Sequence, residues 1–205
     1  VPAAPSAAAA PAVAVPAAPS AAAPAAAPPA TPSAAVAPAA VVGEERKLVT
    51  VLAADLRRVR GEAADADPER ARRETAAWTD ALCEVVERWG GTVERLVGGG
   101  IVAVFGYPAA REDHAARALW AGFEIQRRVP VPVRLGVDTG EVIAPAGGSG
   151  SLAGLGGDVL DVAAWLREAA EPRTVLVSDR ARLAARGAFR FGPAVRVGGA
   201  GARPL

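Results

Sequence analysis

Few side chains in this chain are suited to covalent or metal chemistry. Its 205 residues include one His, His114, and one Cys, Cys83. One imidazole and one thiol cannot build a zinc site of the usual ligand types. No Ser or Cys adjoins His114, so no nucleophile–base pair is assigned. At the start of a helical segment it is expected at the surface or half-buried. Cys83 lies mid-helix among apolar residues and reads as core. A lone Cys excludes an internal disulfide framework and fits a reducing compartment, so a cytoplasmic location is expected. Gly98-Gly99-Gly100 could suggest a phosphate cradle, but it opens a strand rather than a helix, so the helix-dipole argument fails and a hairpin turn is expected. The net charge of +1 gives no electrostatic case for nucleic acid or a membrane surface. The excess of Arg over a single Lys, Lys47, reflects a GC-rich genome rather than an anion site.

The elements that would position these residues follow from patterning. Lys47–Ala54 is a β-branched apolar run suited to a buried strand. Residues 57–66 read as a loop. Asp67-Pro68 offers an N-cap and Pro at the first helical position. The helix continues through Leu82, Val85, Val86 and Trp89 until Gly90-Gly91 stops it. Thr92–Val97 and Ile101–Phe105 form a hairpin about the glycines. Glu112–Val129 is a second amphipathic helix. Val131–Asp138 is predicted as a strand, Thr139-Gly140 as a turn and Glu141–Ala144 as a short return strand. A Gly-rich loop, 145–157, leads to a third helix, Asp158–Ala170. Thr174–Ser178 is a strand, Asp179–Arg186 a short helix capped by Ser178 or Asp179, and Phe189–Val197 a closing strand. This order predicts an α/β (α+β) fold with a ferredoxin-like βαββαβ core: a mixed, mainly antiparallel sheet with helices packed on one face.

The first 42 residues are different. They hold 22 Ala and 10 Pro, and no charge precedes Glu44. Recurrent Pro, each costing a helix interior roughly 3 kcal/mol, excludes a membrane span. There is no basic n-region for a secretory signal. Residues 1–43 are therefore expected to be a disordered, extended Pro/Ala linker, with a partner-binding Pro-rich motif as the alternative. Residues 44–198 form the domain and 199–205 a flexible tail. The absence of Met predicts an excerpt of a longer chain.

Several segments of the domain resemble one family, the class III nucleotide cyclase catalytic domains. Glu45–Leu52 followed by Ala54-Asp55-Leu56 resembles its first strand. Val85-Val86-Glu87-Arg88 with Gly90-Gly91-Thr92-Val93-Glu94 resembles its first helix and second strand. Val102–Gly106, Glu112–Ala115, Gly136–Val142, Gly157-Asp158 with Ala163-Ala164 and Leu166, and Val175–Ser178 follow in family order. No single piece is specific; the collinear set is.

The resemblance implies attack of a ribose 3′-hydroxyl on the α-phosphate of ATP or GTP, with two divalent metals, Mg2+ or Mn2+, held by two Asp carboxylates. Asp55 matches the first carboxylate, with the Leu56 backbone beside it. The second position falls on Gly99, and no carboxylate occurs from Arg95 to Arg111. The family's ribose-orienting Asn and charge-stabilising Arg match Asp161 and Trp165. Asp161 has the wrong sign, Trp165 lacks the guanidinium fork, and the chain contains no Asn. Of the base-selecting positions, Arg95 matches the first and could still donate; Gly154 matches the second. Arg57, Arg58 and Arg60 replace a small phosphate-covering loop and either attract an anion or are solvated. Family sites form between two protomers, and here both halves are defective.

The resemblance therefore implies a catalytically degenerate cyclase-like domain that needs no cofactor. It would act as a regulatory or dimerisation module in a multidomain bacterial signalling protein. A homodimer, or a heterodimer with another cyclase-like domain, is expected, with a kinase or ATPase domain upstream. The alternatives are an active adenylate/guanylate cyclase and an ATP- or GTP-binding sensor without turnover. Asp55 itself is open between a remnant metal ligand and a strand-end residue, and Trp165 between packing and stacking on a purine.

Overall fold

The computed structural model describes residues 15–16, 43–56, 68–148, 150–195 and 197. The linker, the loop at 57–66 and the tail lie outside them, apart from Val15–Pro16, which form a two-residue strand, β1.

The chain is organised by β2, Glu44–Asp55. Its first residues are charged and partly exposed, whereas Val49–Leu56 are buried on both faces. Such an uninterrupted run marks a central strand covered on both sides. The sheet order is β3-β4-β2-β5-β6, with β3 Thr92–Leu96, β4 Gly100–Phe105, β5 Arg134–Pro145 and β6 Val175–Val177. All pairs are antiparallel except β5–β6, so the sheet is mixed and mainly antiparallel. Helix α1, Pro68–Arg88, starts on the expected Pro and ends at Gly90, whose φ of 78° suits a glycine. Helices α2, His114–Arg128, α3, Asp158–Ala169, and α4, Asp179–Ala184, complete the domain, with a final short strand β7, Phe189–Arg190. Ser178 caps α4, accepting a hydrogen bond from the Ala181 amide.

Side chains alternate across each strand, and this sorts the core. Leu52, Ala54, Leu56, Ile101, Phe105, Leu135 and Val137 pack on one face with α1, α2 and α4. Val49, Val51, Ala53, Val104, Val142 and Ala144 pack on the other with Val159 and Ala163 of α3. The helices thus cover both faces, not one. Gly136 makes the second contact close: a Cβ there would lie 2.3 Å from both the Ala163 carbonyl oxygen and the Arg167 nitrogen.

Two strand boundaries also differ from expectation. There is no turn at Thr139-Gly140; β5 runs unbroken for 12 residues and pairs with β2 along its whole length. The ladder partners Thr50 and Val49 hold this dipeptide extended, overriding its local turn preference. Of the expected strand Phe189–Val197, the described residues form a strand at Phe189–Arg190 alone, and it pairs with Val15–Pro16 rather than with the main sheet. Among the described residues no helix is long and apolar enough to cross a membrane.

Candidate functional site

Asp55 ends β2, and the register that places Ala54 opposite Ile101 brings the Gly98–Gly100 turn beside it. A Cβ on Gly99 would lie 4.0 Å from Leu56 Cβ. The first and second family positions are therefore cross-strand neighbours. Their chemistry does not match a pair of cations. The Asp55 carboxylate is 1% exposed and accepts a hydrogen bond from Arg134 Nη2 at 2.8 Å. Arg134 is its ladder partner on β5. The same guanidinium donates through Nη1 to the Glu168 carbonyl oxygen at 3.1 Å, at the C-terminal end of α3, where a cation is favoured by the exposed carbonyls. Glu168 also holds Arg167, whose Nη2 lies 2.6 Å from its carboxylate. Asp55, Arg134, Glu168 and Arg167 form one balanced chain of charges. It ties the end of β2 and the start of β5 to the end of α3.

Gly99 has φ 97°, a backbone conformation that side-chain-bearing residues rarely adopt. A Cβ there would lie 2.5 Å from the Thr75 methyl of α1. The turn is thus built around a glycine, and a carboxylate is sterically opposed at this position. One carboxylate already joined to a buried guanidinium, beside a glycine packed under a helix, does not fit the two-metal group that the family resemblance implies.

Asp161 is exposed in the first turn of α3. Trp165, one turn later, is half-buried and packs in a small cluster with Leu166, Ala170, Leu176, Val195 and Val197. Seven residues of helix, about 10 Å of rise, separate Asp161 from Glu168, so α3 carries these positions away from Asp55 within one protomer. Arg95 is exposed on β3 and donates to Asp80 of α1 at 2.5 Å. Gly154 is in a loop with φ 89°. Arg57, Arg58 and Arg60 lie outside the described residues.

Two buried polar groupings escaped the sequence reading. His114 is buried, 6% exposed, instead of at the surface or half-buried. Its Nδ1 is 2.8 Å from Thr50 Oγ1, which is 2.7 Å from Thr139 Oγ1 across the β2–β5 ladder. Burial pushes the imidazole below its ordinary value, partly opposed by Asp113. Asp138, fully buried on β5, accepts from the Ser178 hydroxyl and from Arg180 Nη2 at 2.5 Å. Arg180 Nη1 also reaches Asp158 at 3.3 Å, so α4 clamps the start of α3 to β5. The hydrogen bond to Asp138 raises the Arg180 pKa. Cys83 is buried, and burial holds its thiol protonated. Neither polar grouping was legible, because the bonds to Thr50 and to Asp138 join residues 40 or more positions apart that only the folded sheet and its flanking helices bring together.

A five-stranded mixed sheet with this helix arrangement defines the fold of adenylyl and guanylyl cyclase catalytic domains. Solved structures bear this out. The adenylyl cyclase CyaB from P. aeruginosa superposes with a TM-score of 0.61 at 19% identity, covering 70% of this chain and 82% of that one. The guanylate cyclase domain of RhGC from Catenaria anguillulae, solved with GTP, gives 0.61 at 20%, covering 70% and 85%. The guanylyl cyclase Cya2 gives 0.58 at 25%, covering 70% and 80%. No family model matches the chain, and no curated protein sequence does.

Proposed function

We propose that this is a catalytically degenerate cyclase-homology domain that serves as a regulatory or dimerisation module within a larger signalling chain. The observation that carries this reading is the state of Asp55. Its carboxylate is sealed against Arg134, and the neighbouring family position is a glycine whose geometry opposes a second acid. Removing one preorganised charge-stabilising donor typically lowers a rate about 10²–10³-fold. Here Gly99, Asp161 and Trp165 replace several such groups at once. A homodimer or a pairing with another cyclase-like domain suits the reading. One related guanylyl cyclase domain has been solved both as a dimer and as a monomer, so association in this fold is separable from folding.

Calorimetry on the whole chain tests the proposal. Titration with Mn2+ and a non-hydrolysable ATP or GTP analogue is expected to give no saturable heat. Micromolar binding of the analogue without metal would favour a nucleotide sensor. Binding that requires about two Mn2+ per nucleotide would overturn the proposal and favour an active cyclase.

A further inference from the structure

The start of β2 and the end of β5 pair as a two-stranded ribbon with one open face. His114, the first residue of α2, reaches Thr50 beside its ladder partner Thr139. Two rows further out, the same face carries Leu48 opposite Glu141 and then Arg46 opposite Ile143. All four are exposed. Leu48 at 56% and Ile143 at 45% are large apolar side chains left in water. The reverse face is closed: Val49, Val142 and Ala144 are buried there with Leu152 and Leu155 packed against them. The ribbon is therefore braced from behind and presents these four side chains outward.

The register arranges them as a two-by-two pattern. Arg46 and Glu141 occupy one diagonal, Leu48 and Ile143 the other. Arg46 Nη1 and Glu141 Oε2 are 3.6 Å apart with both side chains mostly in solvent, so this pair adds little within one chain. The pattern selects what fits on it. A second copy would meet this face through a two-fold axis, which demands that the patch complement itself. An axis along the strands, or straight across them, sets each apolar residue against a charge. An axis along the Arg46–Glu141 diagonal sets Arg46 on Arg46 and Glu141 on Glu141. An axis along the Leu48–Ile143 diagonal sets Leu48 on Leu48, Ile143 on Ile143, and each Arg46 over the other copy's Glu141. With strands roughly 4.8 Å apart and alternate residues roughly 6.8 Å apart, the opposed charged positions then coincide to within about 3 Å, which long side chains absorb. The ribbons cross at roughly 70°, close to the orthogonal mode of sheet-on-sheet packing.

We propose that this face is a self-association surface, on which a second copy of the chain docks about the Leu48–Ile143 diagonal. The apolar pair forms its centre. Arg46 and Glu141 of the two copies then alternate in sign around that centre, so each charge gains a partner across the interface. Four side chains cover well under the roughly 800 Å² per partner of a standard interface, so the contact is weak and concentration-dependent. This inference deepens the dimerisation part of the proposed function and rests on that part, not on the absence of turnover.

Sedimentation velocity of the whole chain, from micromolar to millimolar concentration, tests this. The weight-average sedimentation coefficient is expected to rise with concentration. Arg46→Glu and Glu141→Arg, each alone, set like charges face to face and are expected to weaken association at least about tenfold. Both positions are exposed, so the fold tolerates either change. The double exchange Arg46→Glu/Glu141→Arg restores opposite charges across the axis and is expected to return association to within about threefold of the original. An equimolar mixture of the two single variants should associate as well, and Leu48→Ser should abolish association. Single reversals that change nothing, or a double exchange no stronger than the singles, would overturn this surface while leaving dimerisation itself in place. A chain that stays monomeric at every concentration would overturn the surface and homodimerisation together, and neither result bears on turnover.

Discussion

Asp55 is where the chemistry of this domain turns on a single side chain. A carboxylate awaiting a cation would be relieved by neutralisation, whereas one that balances a buried guanidinium would be missed. Among the described residues, Asp55→Asn leaves buried Arg134 with the more distant Glu168 carboxylate, 3.8 Å away, as its remaining acidic partner. It is expected to lower stability by about 3–5 kcal/mol, read by urea denaturation; a gain in stability would contradict the pairing. Gly99→Asp puts a side chain at φ 97° and against Thr75. A cost of at least roughly 1–2 kcal/mol is expected from the backbone alone. Thr75→Ser, which removes the colliding methyl, should recover part of the steric remainder in a double-mutant cycle. His114 gives a pH signature. Its folded pKa is lowered, so between that value and the ordinary value of about 6.5 the unfolded chain binds more protons than the folded one. Its contribution is present above about pH 6.5 and is lost as the pH falls below it. His114→Gln should therefore flatten the stability profile on the acidic side of pH 6.5; an unchanged slope there would refute the assignment.

Among the elements, α3 on β5 is the contact with least room. Gly136→Ala meets backbone atoms of α3 at 2.3 Å, which no rotamer change relieves. A loss toward the upper end of the roughly 1–3 kcal/mol range for overpacking is expected. Gly140→Ala on the same strand meets Val159 Cβ at 3.2 Å and should cost clearly less. Equal melting-temperature losses for the two would contradict this account. The same strand shows what the sequence can and cannot reveal. Pro68 and Gly90-Gly91 bound α1 by local backbone chemistry, and the order of strands and helices was legible for that reason. Thr139-Gly140 looked like a turn because its local preference is for one, while the ladder to β2 that extends it is invisible in a linear reading. That α3 lies on the face opposite α1 and α2 is likewise set by strand order, which hydrophobic periodicity does not encode. The family resemblance located Asp55 and Gly99 as neighbours. The Arg134 that neutralises Asp55 lies 79 residues away and required the register.

At the scale of the molecule, the domain has the cyclase fold, and the proposed function reads its candidate site as structural. Charges that could hold metal and triphosphate are instead spent tying β2 and β5 to α3, and the α3 positions carry an exposed Asp161 and a packed Trp165. The proposed role rests on its surfaces. Turnover is the most direct test of this. The whole chain, at high protein concentration with Mn2+ and either ATP or GTP, is expected to produce no cyclic nucleotide above the protein-free background. Product that rises in proportion to protein and disappears in a folded Asp55→Asn variant would contradict the account.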